Sequence, residues 1–269
     1  MKLSETFLVK PGRKVRLSEH EADFTGSFKS KSHAESALVR NISRLMELQY
    51  LLYAENKRSV LIILQAMDAG GKDGTIRHVM GALNPQSCRV TSFKEPSVEE
   101  LKHDFLWRVH KATPARGEIA IFNRSHYEDV LIVRVKDLVA KSVWEKRYDQ
   151  INAFESLLAE NNVMILKFFL HVSKVEQKKR LMQRLEDPKR QWKANPEDFK
   201  ERRRWDEYMK AYEEALSRCS TKHAPWHIIP SDQKWFRNLA VSEVIVDRLA
   251  SARMTYPKPA FDISKIKIR

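Results

Sequence analysis

The residues Val60–Thr75, VLIILQAMDAGGKDGT, decide the fold of this chain. They open with a continuous apolar run, rich in β-branched residues and too short to span a membrane, which indicates a strand buried on both faces in a parallel sheet. A glycine-rich loop with Lys72 follows, and a helical pattern runs from Thr75 to about Leu83. In such a unit the backbone N–H groups and the helix dipole bind an anion, and the lysine adds a mobile charge. The segment predicts a phosphate-binding loop; the alternative is an ordinary glycine turn.

The loop departs from the pattern G-x-x-x-x-G-K-[ST] in an informative way. Ala66 replaces the first glycine, and Asp73 replaces the Ser or Thr that would bind magnesium. Asp68 places a second carboxylate within the loop. Two carboxylates repel a polyanion unless a divalent cation lies between them, and Mg²⁺ prefers oxygen-rich coordination shared with phosphates. We therefore expect Mg²⁺ as the cofactor, with Asp68 and Asp73 as its ligands.

The composition favours a soluble protein with one large domain. The chain has 269 residues, 42% of them hydrophobic, which suits a single domain over residues 1–269. Within it we expect an irregular basic arm (1–30), a charged insertion that forms a lid (186–217) and a basic tail (255–269). The N-terminus shows no apolar signal segment, and two cysteines form neither a disulfide framework nor a metal cluster. These features predict a cytoplasmic location.

The net charge predicts a polyanionic partner. The chain carries 49 basic and 35 acidic residues, which gives a formal charge of +14. Such an excess suits nucleic acid, an anionic membrane or a long phosphate polymer. The charge alone does not choose among these three.

The order of hydrophobic patterns predicts an α/β fold. Five segments are predicted to be strands: 60–64, 89–93, 118–122, 163–169 and 226–230. Helical patterns cover 32–56, 75–83, 97–111, 143–160, a stretch from 173 to about 187, and 231–252. Strands that alternate with helices predict a three-layer α/β/α fold with a parallel sheet, and ligands of such sheets lie at the carboxyl edge.

A second polar motif follows the third predicted strand. That strand runs into FNRSHYED, residues 122–129, so its polar side chains should face the phosphate-binding loop. The segments QAMDAGGKDGTIRHV, GEIAIFNRSHYEDVL, KKRLMQRLEDPKRQWK and ERRRWDEYM together resemble the polyphosphate kinase 2 family over about residues 30–255. The IFNRSHYED form is most similar to the class III subgroup, which acts on both AMP and ADP.

The resemblance implies a phosphate-loop kinase fold with a helical lid, and transfer of a terminal phosphoryl group between inorganic polyphosphate and purine nucleotides (AMP, ADP, ATP, and GMP or GDP). It assigns catalytic roles to Asp68, Lys72, Arg124 and Glu128. It assigns phosphate or nucleotide binding to Ala69, Gly70, Gly71, Lys72, Asp73, Gly74, Thr75, Asn123, Arg124, Arg180, Arg184, Lys189 and Arg190. Relatives often carry Asp at the position of Asn123, so the amide here would bind a nucleotide phosphate or the water shell of the metal.

The chemistry requires no catalytic base. The terminal phosphate of a nucleotide is largely ionised near neutral pH, so the enzyme has to align two polyanions and neutralise the moving phosphoryl group. Metal ions, lysines and arginines meet that need.

Simpler interpretations remain for several residues. Arg124 and Glu128 could form an ordinary i,i+4 surface pair, and His126 suits a packing role. The basic residues of the insertion could be a solvated helix face. The aromatic residues of 199–216 suit a packing stripe more than a base-stacking surface.

Two other functions are compatible with parts of the sequence. An ATP-dependent nucleoside monophosphate kinase would share the fold without needing so large a positive charge. A basic nucleic-acid-binding protein would need a recognition motif that the sequence does not contain. We therefore expect polyphosphate and nucleotides as partners, no nucleic acid or membrane, and a homo-oligomer.

Overall fold

A five-stranded parallel sheet forms the centre of the molecule in the computed structural model, which describes residues 2–266. The strands are β1 (Ser59–Gln65), β2 (Cys88–Ser92), β3 (Ile119–Asn123), β4 (Val163–His171) and β5 (Trp226–Pro230). Their order is β2-β3-β1-β4-β5, so the strand that leads into the glycine loop is central and every one of its residues is buried. The predicted parallel α/β sheet is confirmed.

Helices cover both faces of the sheet. They are α1 (Leu3–Thr6), α2 (Lys31–Glu55), α3 (Lys72–Thr75), α4 (Trp107–His110), α5 (Ile132–Val135), α6 (Lys141–Glu160), α7 (Lys174–Glu186), α8 (Pro196–Arg203), α9 (Trp205–Arg218) and α10 (Lys234–Ser251). Alternate residues of β1 enter opposite cores. Leu61 and Ile63 belong to the core that contains residues of α6 and α9, whereas Ile62 and Leu64 belong to the core that contains residues of α2 and α10. The result is the predicted three-layer arrangement.

One predicted helix, over residues 97–111, is wrong. The expected capping box forms, because the backbone N–H groups of Ser97 and Glu100 each donate to the other residue's side chain. Only a 3₁₀ turn, Glu100–Lys102, follows it, and the backbone becomes extended at His103. The carboxylate of Asp104 then accepts from the N–H of Leu106 and begins a separate turn ahead of α4. Local capping by two side chains therefore divides the segment.

Two other helices differ from the prediction at their ends. The helix after the loop begins at Lys72 rather than Thr75, and after α3 it continues as a π turn, Ile76–Met80. The last helix begins at Lys234 rather than Ser231. The carbonyl groups of Ser231 and Asp232 accept from the guanidinium of Arg180, so this stretch serves as a connection and not as a first helical turn.

Residues 2–30 have little regular structure, but they pack against the body of the protein. Val9 donates from its N–H to the carbonyl of Trp226 at 2.8 Å, and Leu8 forms an antiparallel bridge with His227. The arm thus covers the outer edge of β5, where unpaired backbone groups would otherwise be exposed. Residues 255–266 are almost entirely exposed; the last three residues of the predicted tail, 267–269, lie outside the described residues.

The charged segment 186–217 divides into two parts. In α9, the side chains of Trp205, Tyr208 and Tyr212 are buried in the core, which confirms the predicted packing stripe. Residues 187–204 instead lie over the carboxyl edge of the sheet, where Trp192 and Lys193 line the cavity beside the glycine loop. We use the word lid for residues 187–204 only. No helix in the described part of the chain is long and apolar enough to cross a membrane.

Candidate active site

In the glycine loop, residues 66–74, two positions have a backbone conformation and surroundings that leave no room for a side chain. Gly71 has φ of +112°, and a Cβ atom built on it would lie 1.8 Å from Nη1 of Arg237. A Cβ atom on Gly70 would lie 2.6 Å from Cβ of Ala66. The two glycines therefore allow the loop to turn tightly between α10 and the end of β1.

Lys72 lies at the first turn of α3 and its side chain is buried. Its ammonium donates to the carbonyl of Ala66 at 2.8 Å, and the carbonyl of Met67 lies 3.5 Å away. Burial, reinforced by the charge of Arg124, lowers the pKa of Lys72 to about 8. The lysine thus points into the loop, at the place where a bound phosphate would need a positive charge.

Arg124 brings the polar motif after β3 to the loop. The sheet register pairs Leu64 with Asn123, and the N–H of Arg124 then donates to the carbonyl of Leu64. At this point, just after the end of β3, Arg124 has a left-handed backbone conformation, with φ of +62°. Its guanidinium lies 2.7 Å from Oδ1 of Asp68 and 3.8 Å from Oε2 of Glu128. Burial acts against the charged form, but Glu128 and Asp68 together raise the pKa of Arg124 above its ordinary value.

Asp73 lies on the other side of the loop and is mostly exposed. Its Oδ1 accepts from the amide of Asn123 at 2.9 Å, and its Oδ2 lies 3.5 Å from the ammonium of Lys193 in the lid. Partial burial opposes ionisation, but the hydrogen bond from Asn123 and the charge of Lys193 lower the pKa of Asp73. The loop, β3 and the lid therefore meet at this carboxylate.

The two loop carboxylates fit a divalent cation that is shared with a substrate. Within residues 2–266, no group of three or more His, Cys, Asp or Glu side chains is placed to hold a metal alone. Mg²⁺ is commonly bound by one or two carboxylates together with substrate phosphates and water. Asp68 and Asp73 both line the cavity beside Lys72, so this donor set suits that mode of binding.

The four predicted basic residues of α7 and the lid take different positions. Arg180 lies behind the loop: its guanidinium donates to Glu176 and to the carbonyls of Ala69, Gly70, Ser231 and Asp232. These contacts hold Arg180 against the loop, at the wall of the cavity that it also lines, so its predicted contact with a phosphate stays a prediction.

The other three residues line the same cavity as Arg180. Arg184 donates to Asp198 at 2.9 Å and so joins α7 to the lid, and Arg190 pairs with Asp187 at 2.9 Å. Lys189 lines the same cavity. Of the remaining predicted loop residues, Gly74 lies against Arg237, and the hydroxyl of Thr75 donates to the carbonyl of Gly71 at 3.2 Å.

One cavity, of about 2110 Å³, connects these groups. It extends from the glycine loop past the polar motif to the end of β2, where Phe93 and Pro96 contribute apolar surface, and beneath the lid to Trp192.

Several residues of the site were missed by the sequence analysis. Gln177 donates from its side chain to the carbonyl of Asp68, and Gln65 donates to Glu128. Asp129, paired with Arg147, lines the cavity, and burial raises its pKa to about 6. Arg237 is buried against the loop from α10. A signal was present only for Arg237, because an arginine among the apolar residues of KWFRNLAV is unusual on a buried helix face.

His126 has the packing role that was predicted for it. Its ring is buried, and Nε2 lies 3.2 Å from Oε1 of Glu155. Burial lowers the pKa of His126, which favours the neutral imidazole. Its contacts belong to the core behind the polar motif.

Comparison with known proteins identifies a family and several relatives that this chain resembles. The family model described as Polyphosphate kinase 2 matches residues 28–257. An AMP/ADP-polyphosphate phosphotransferase from Meiothermus ruber is 49% identical over 97% of this chain and 98% of its own length. An ADP-polyphosphate phosphotransferase from Rhodopseudomonas palustris is 46% identical over 95% of this chain and 92% of its own length.

A solved structure agrees with the fold. The crystal structure of Polyphosphate Kinase 2 from Arthrobacter aurescens TC1 superposes with a TM-score of 0.94 at 42% identity, over 98% of this chain and 94% of that chain. With the family match, the relatives and the loop geometry in agreement, this chain belongs to the polyphosphate kinase 2 family.

Proposed function

We propose that this protein is a Mg²⁺-dependent phosphotransferase that moves the terminal phosphoryl group of inorganic polyphosphate to AMP and ADP, and that it also acts in reverse. The observation that carries the proposal is the meeting of Lys72 and Arg124 with the carboxylates of Asp68 and Asp73 in one large cavity. The names of the two full-length relatives, which specify AMP, ADP and polyphosphate, support the choice of substrates.

The reaction is an in-line displacement at phosphorus. A terminal phosphate oxygen of the nucleotide attacks the terminal phosphorus of polyphosphate; a new P–O bond forms as the P–O–P bond breaks, and polyphosphate leaves one unit shorter. The attacking oxygen is already ionised, so no residue needs to accept a proton. Lys72 and Arg124 neutralise the charge of the moving phosphoryl group, and Asn123 orients a phosphate oxygen beside it.

The carboxylates of Asp68 and Asp73 would hold the metal ion, which when bound supplies charge neutralisation between the two polyanions. Glu128 orients the guanidinium of Arg124, and Gln65 in turn donates to Glu128 from the adjacent strand. The lid adds positive charge over the same place through Lys193. We propose that the lid moves, opening to admit polyphosphate and closing to exclude water.

ATP formation from purified protein, Mg²⁺, polyphosphate and either AMP or ADP tests this proposal. Lys72→Ala should lower the rate by on the order of 10³-fold, the cost of a lost cation in phosphoryl transfer. Lys57→Ala is the matched control, because Lys57 is an exposed lysine at the opposite end of β1; it should retain the wild-type rate. Omission of Mg²⁺, and its replacement by other divalent ions, tests the metal.

The outcomes separate the alternatives. ATP from ADP alone would keep polyphosphate as donor and withdraw activity on AMP. Transfer from ATP to a nucleoside monophosphate, without use of polyphosphate, would establish an ordinary monophosphate kinase. Salt-dependent retention on DNA without turnover would favour a nucleic-acid-binding protein.

The remaining expectations on assembly and location stay predictions. We propose a homo-oligomer, since α2 leaves Val39, Met46 and Tyr50 largely exposed; light scattering after size exclusion measures it. A cytoplasmic location agrees with two free thiols, Cys88 and Cys219. We predict no nucleic-acid or membrane partner, which binding assays with DNA and anionic vesicles test.

A further inference from the structure

Gln177 is a buried glutamine of α7 whose amide group is hydrogen-bonded at both ends. The residue has no exposed surface. Its amide nitrogen donates to the carbonyl of Asp68 in the glycine loop at 3.0 Å, and its amide oxygen accepts from Nη1 of Arg202 in the lid at 2.6 Å. Donor and acceptor belong to one planar group, so a change at one contact alters the orientation of the other. The loop and the lid are thus joined through a single amide.

The neighbouring arginines of α7 each contact only one of these two elements. Arg180 donates to carbonyls of the glycine loop, and Arg184 pairs with Asp198 of the lid. In the part of the chain that the structure describes, Arg180 forms no hydrogen bond with the lid and Arg184 forms none with the loop. Gln177 therefore differs from both in connecting the two elements directly.

A second contact between the lid and the loop, at Asp73, is open to solvent. Lys193 lies 3.5 Å from Asp73, and the two side chains keep 41% and 69% of their surface exposed. Exposed ion pairs contribute little to stability, because water and salt screen them. The amide of Gln177 is buried, where water does not replace a lost hydrogen-bond partner. The stronger connection between the two elements is thus the one through Gln177.

Asp68 is the loop residue on which this connection acts. Its carboxylate accepts from Arg124 at 2.7 Å and lines the cavity, and its carbonyl is held by Gln177. If α8 moved away with the rest of the lid, the amide oxygen of Gln177 would lose Arg202 and would lie buried without a partner. A rotation of the amide that gave the oxygen a new partner would release the carbonyl of Asp68.

We propose that Gln177 is a positioning residue that makes the placement of Asp68 depend on the closed lid. When α8 docks, Arg202 fixes the amide of Gln177, and the amide fixes the backbone of Asp68, so that its carboxylate and Arg124 meet where the phosphoryl group is transferred. In the open state the loop is less ordered, which limits transfer to water before the lid has closed. This inference rests on the proposed function and deepens it, because it states how lid closure completes the site.

Steady-state kinetics with polyphosphate and AMP separate a positioning role from a purely structural one. Gln177→Met should lower kcat about 10- to 100-fold, with KM for both substrates within about threefold of wild type, because a small misplacement of a reacting group slows the chemical step. Gln49→Met is the matched control. Gln49 is also buried, at 2% exposure, and its amide donates to the carbonyl of Asn84 and accepts from the N–H of Asn84, in the turn before β2. This control should lose stability and keep the kcat of wild type.

Gln177→Glu separates the two contacts of the amide. An ionised carboxylate of the same size still accepts from Arg202, but it has no N–H to donate and it repels the carbonyl of Asp68. This variant should have a kcat as low as that of Gln177→Met, while hydrogen exchange of residues 187–204 is no faster than in the wild type. A kcat near that of the wild type would overturn the proposal, because the contact with the loop would then be unnecessary.

Hydrogen exchange of the glycine loop, without substrate, measures the coupling itself. Arg202→Met removes the contact at the lid end of the amide and changes no residue of the loop. Exchange in residues 66–74 should nevertheless become faster, by at least about threefold. Arg203→Met removes an exposed positive charge from the same helix and should leave the exchange of the loop unchanged. Unchanged exchange in Arg202→Met would overturn the coupling.

The same measurement separates this inference from the proposed function. Faster exchange of the loop in Arg202→Met and Gln177→Met would establish the connection even in a protein that transferred no phosphoryl group from polyphosphate. Transfer at the wild-type rate by Gln177→Met, shown to be folded by circular dichroism, would leave the proposed function intact and remove the positioning role.

Discussion

Replacement of Lys167 by Met should remove much of the free energy of unfolding of this protein. Lys167 lies on β4 with no exposed side-chain surface. Its ammonium donates to the hydroxyl of Tyr127 at 2.7 Å, to Oε2 of Glu155 at 2.5 Å and to the carbonyl of Cys219 at 2.6 Å. Methionine has a similar volume, so the substitution removes the charge and three hydrogen bonds without opening a large cavity.

The magnitude follows from the charge left behind. Glu155 would remain buried with His126 and Tyr127 as its hydrogen-bond partners, and breaking a buried pair in this way typically costs about 3–5 kcal/mol. For a chain of this size, each kcal/mol lowers Tm by roughly 2–4 °C, so we expect a decrease of about 6–20 °C. Urea unfolding followed by circular dichroism gives the free energy, and calorimetry gives Tm.

The double variant Lys167→Met, Glu155→Gln isolates the cause. It removes both charges, and it should therefore be more stable than Lys167→Met alone. If Lys167→Met lost less than about 1 kcal/mol, or if the double variant lost the sum of both single variants, the ion-pair explanation would be refuted.

The ion pair between Glu155 and Lys167 also predicts how the stability of the protein depends on pH. Burial opposes ionisation of Glu155, but the charge of Lys167 holds the pKa of Glu155 below its ordinary value. A carboxyl whose pKa is lower in the folded state adds stability above its unfolded pKa, and the stability is lost as the pH falls through the folded pKa. Glu155→Gln should therefore flatten the loss of stability in acid, below about pH 4.

Three further predictions concern the loop and the lid. Gly71→Ala should lower kcat/KM by at least about 10-fold, because the new methyl group meets Arg237. Gly12→Ala is the control for backbone strain alone, since Gly12 has a positive φ and open space around it. Equal effects of the two substitutions on kcat/KM would contradict the explanation. Since the pKa of Lys72 is lowered to about 8, kcat/KM for polyphosphate should fall as the pH rises through 8, and Lys72→Arg should move that fall to higher pH; a profile that does not change in the variant would assign the titration to another group. Hydrogen exchange of residues 187–204 should slow when polyphosphate is added, while exchange in α9 stays constant; no change in the lid would argue against closure.

The strands of this fold were predictable because their chemistry is local. The run 60–64 is apolar and rich in β-branched residues, 226–230 contains Trp226 and two isoleucines, and the structure contains a strand at each of them. The segment 97–111 was not predictable, since Ser97 and Glu100 form the side-chain contacts of a helix start without a continuous helix behind them. A capping signal specifies where a turn begins, and tertiary packing decides how long it continues.

The site was predictable in its loop and less so in its partners. The spacing of the glycine loop placed Lys72, Asp68 and Asp73 together, because these residues are neighbours in sequence. Their pairing with Arg124 and Asn123 depends on the register of β1 and β3, which residue patterns do not specify. The inward position of Arg180 depends on contacts with residues more than 50 positions away, and no local pattern distinguishes it from a solvent-facing arginine.

Because residues 186–217 divide into a lid and a core helix, the lid is a separate segment that can be replaced while the core helix is kept. It begins after α7 ends at Glu186, and it ends where Trp205 enters the core. Its helical part, α8, contacts the rest of the described chain through Arg184 with Asp198, Arg202 with Gln177, and Glu201 with Lys136 and Tyr208. We therefore predict that a lid from a relative that keeps these contacts can replace residues 187–204 without redesign of the core.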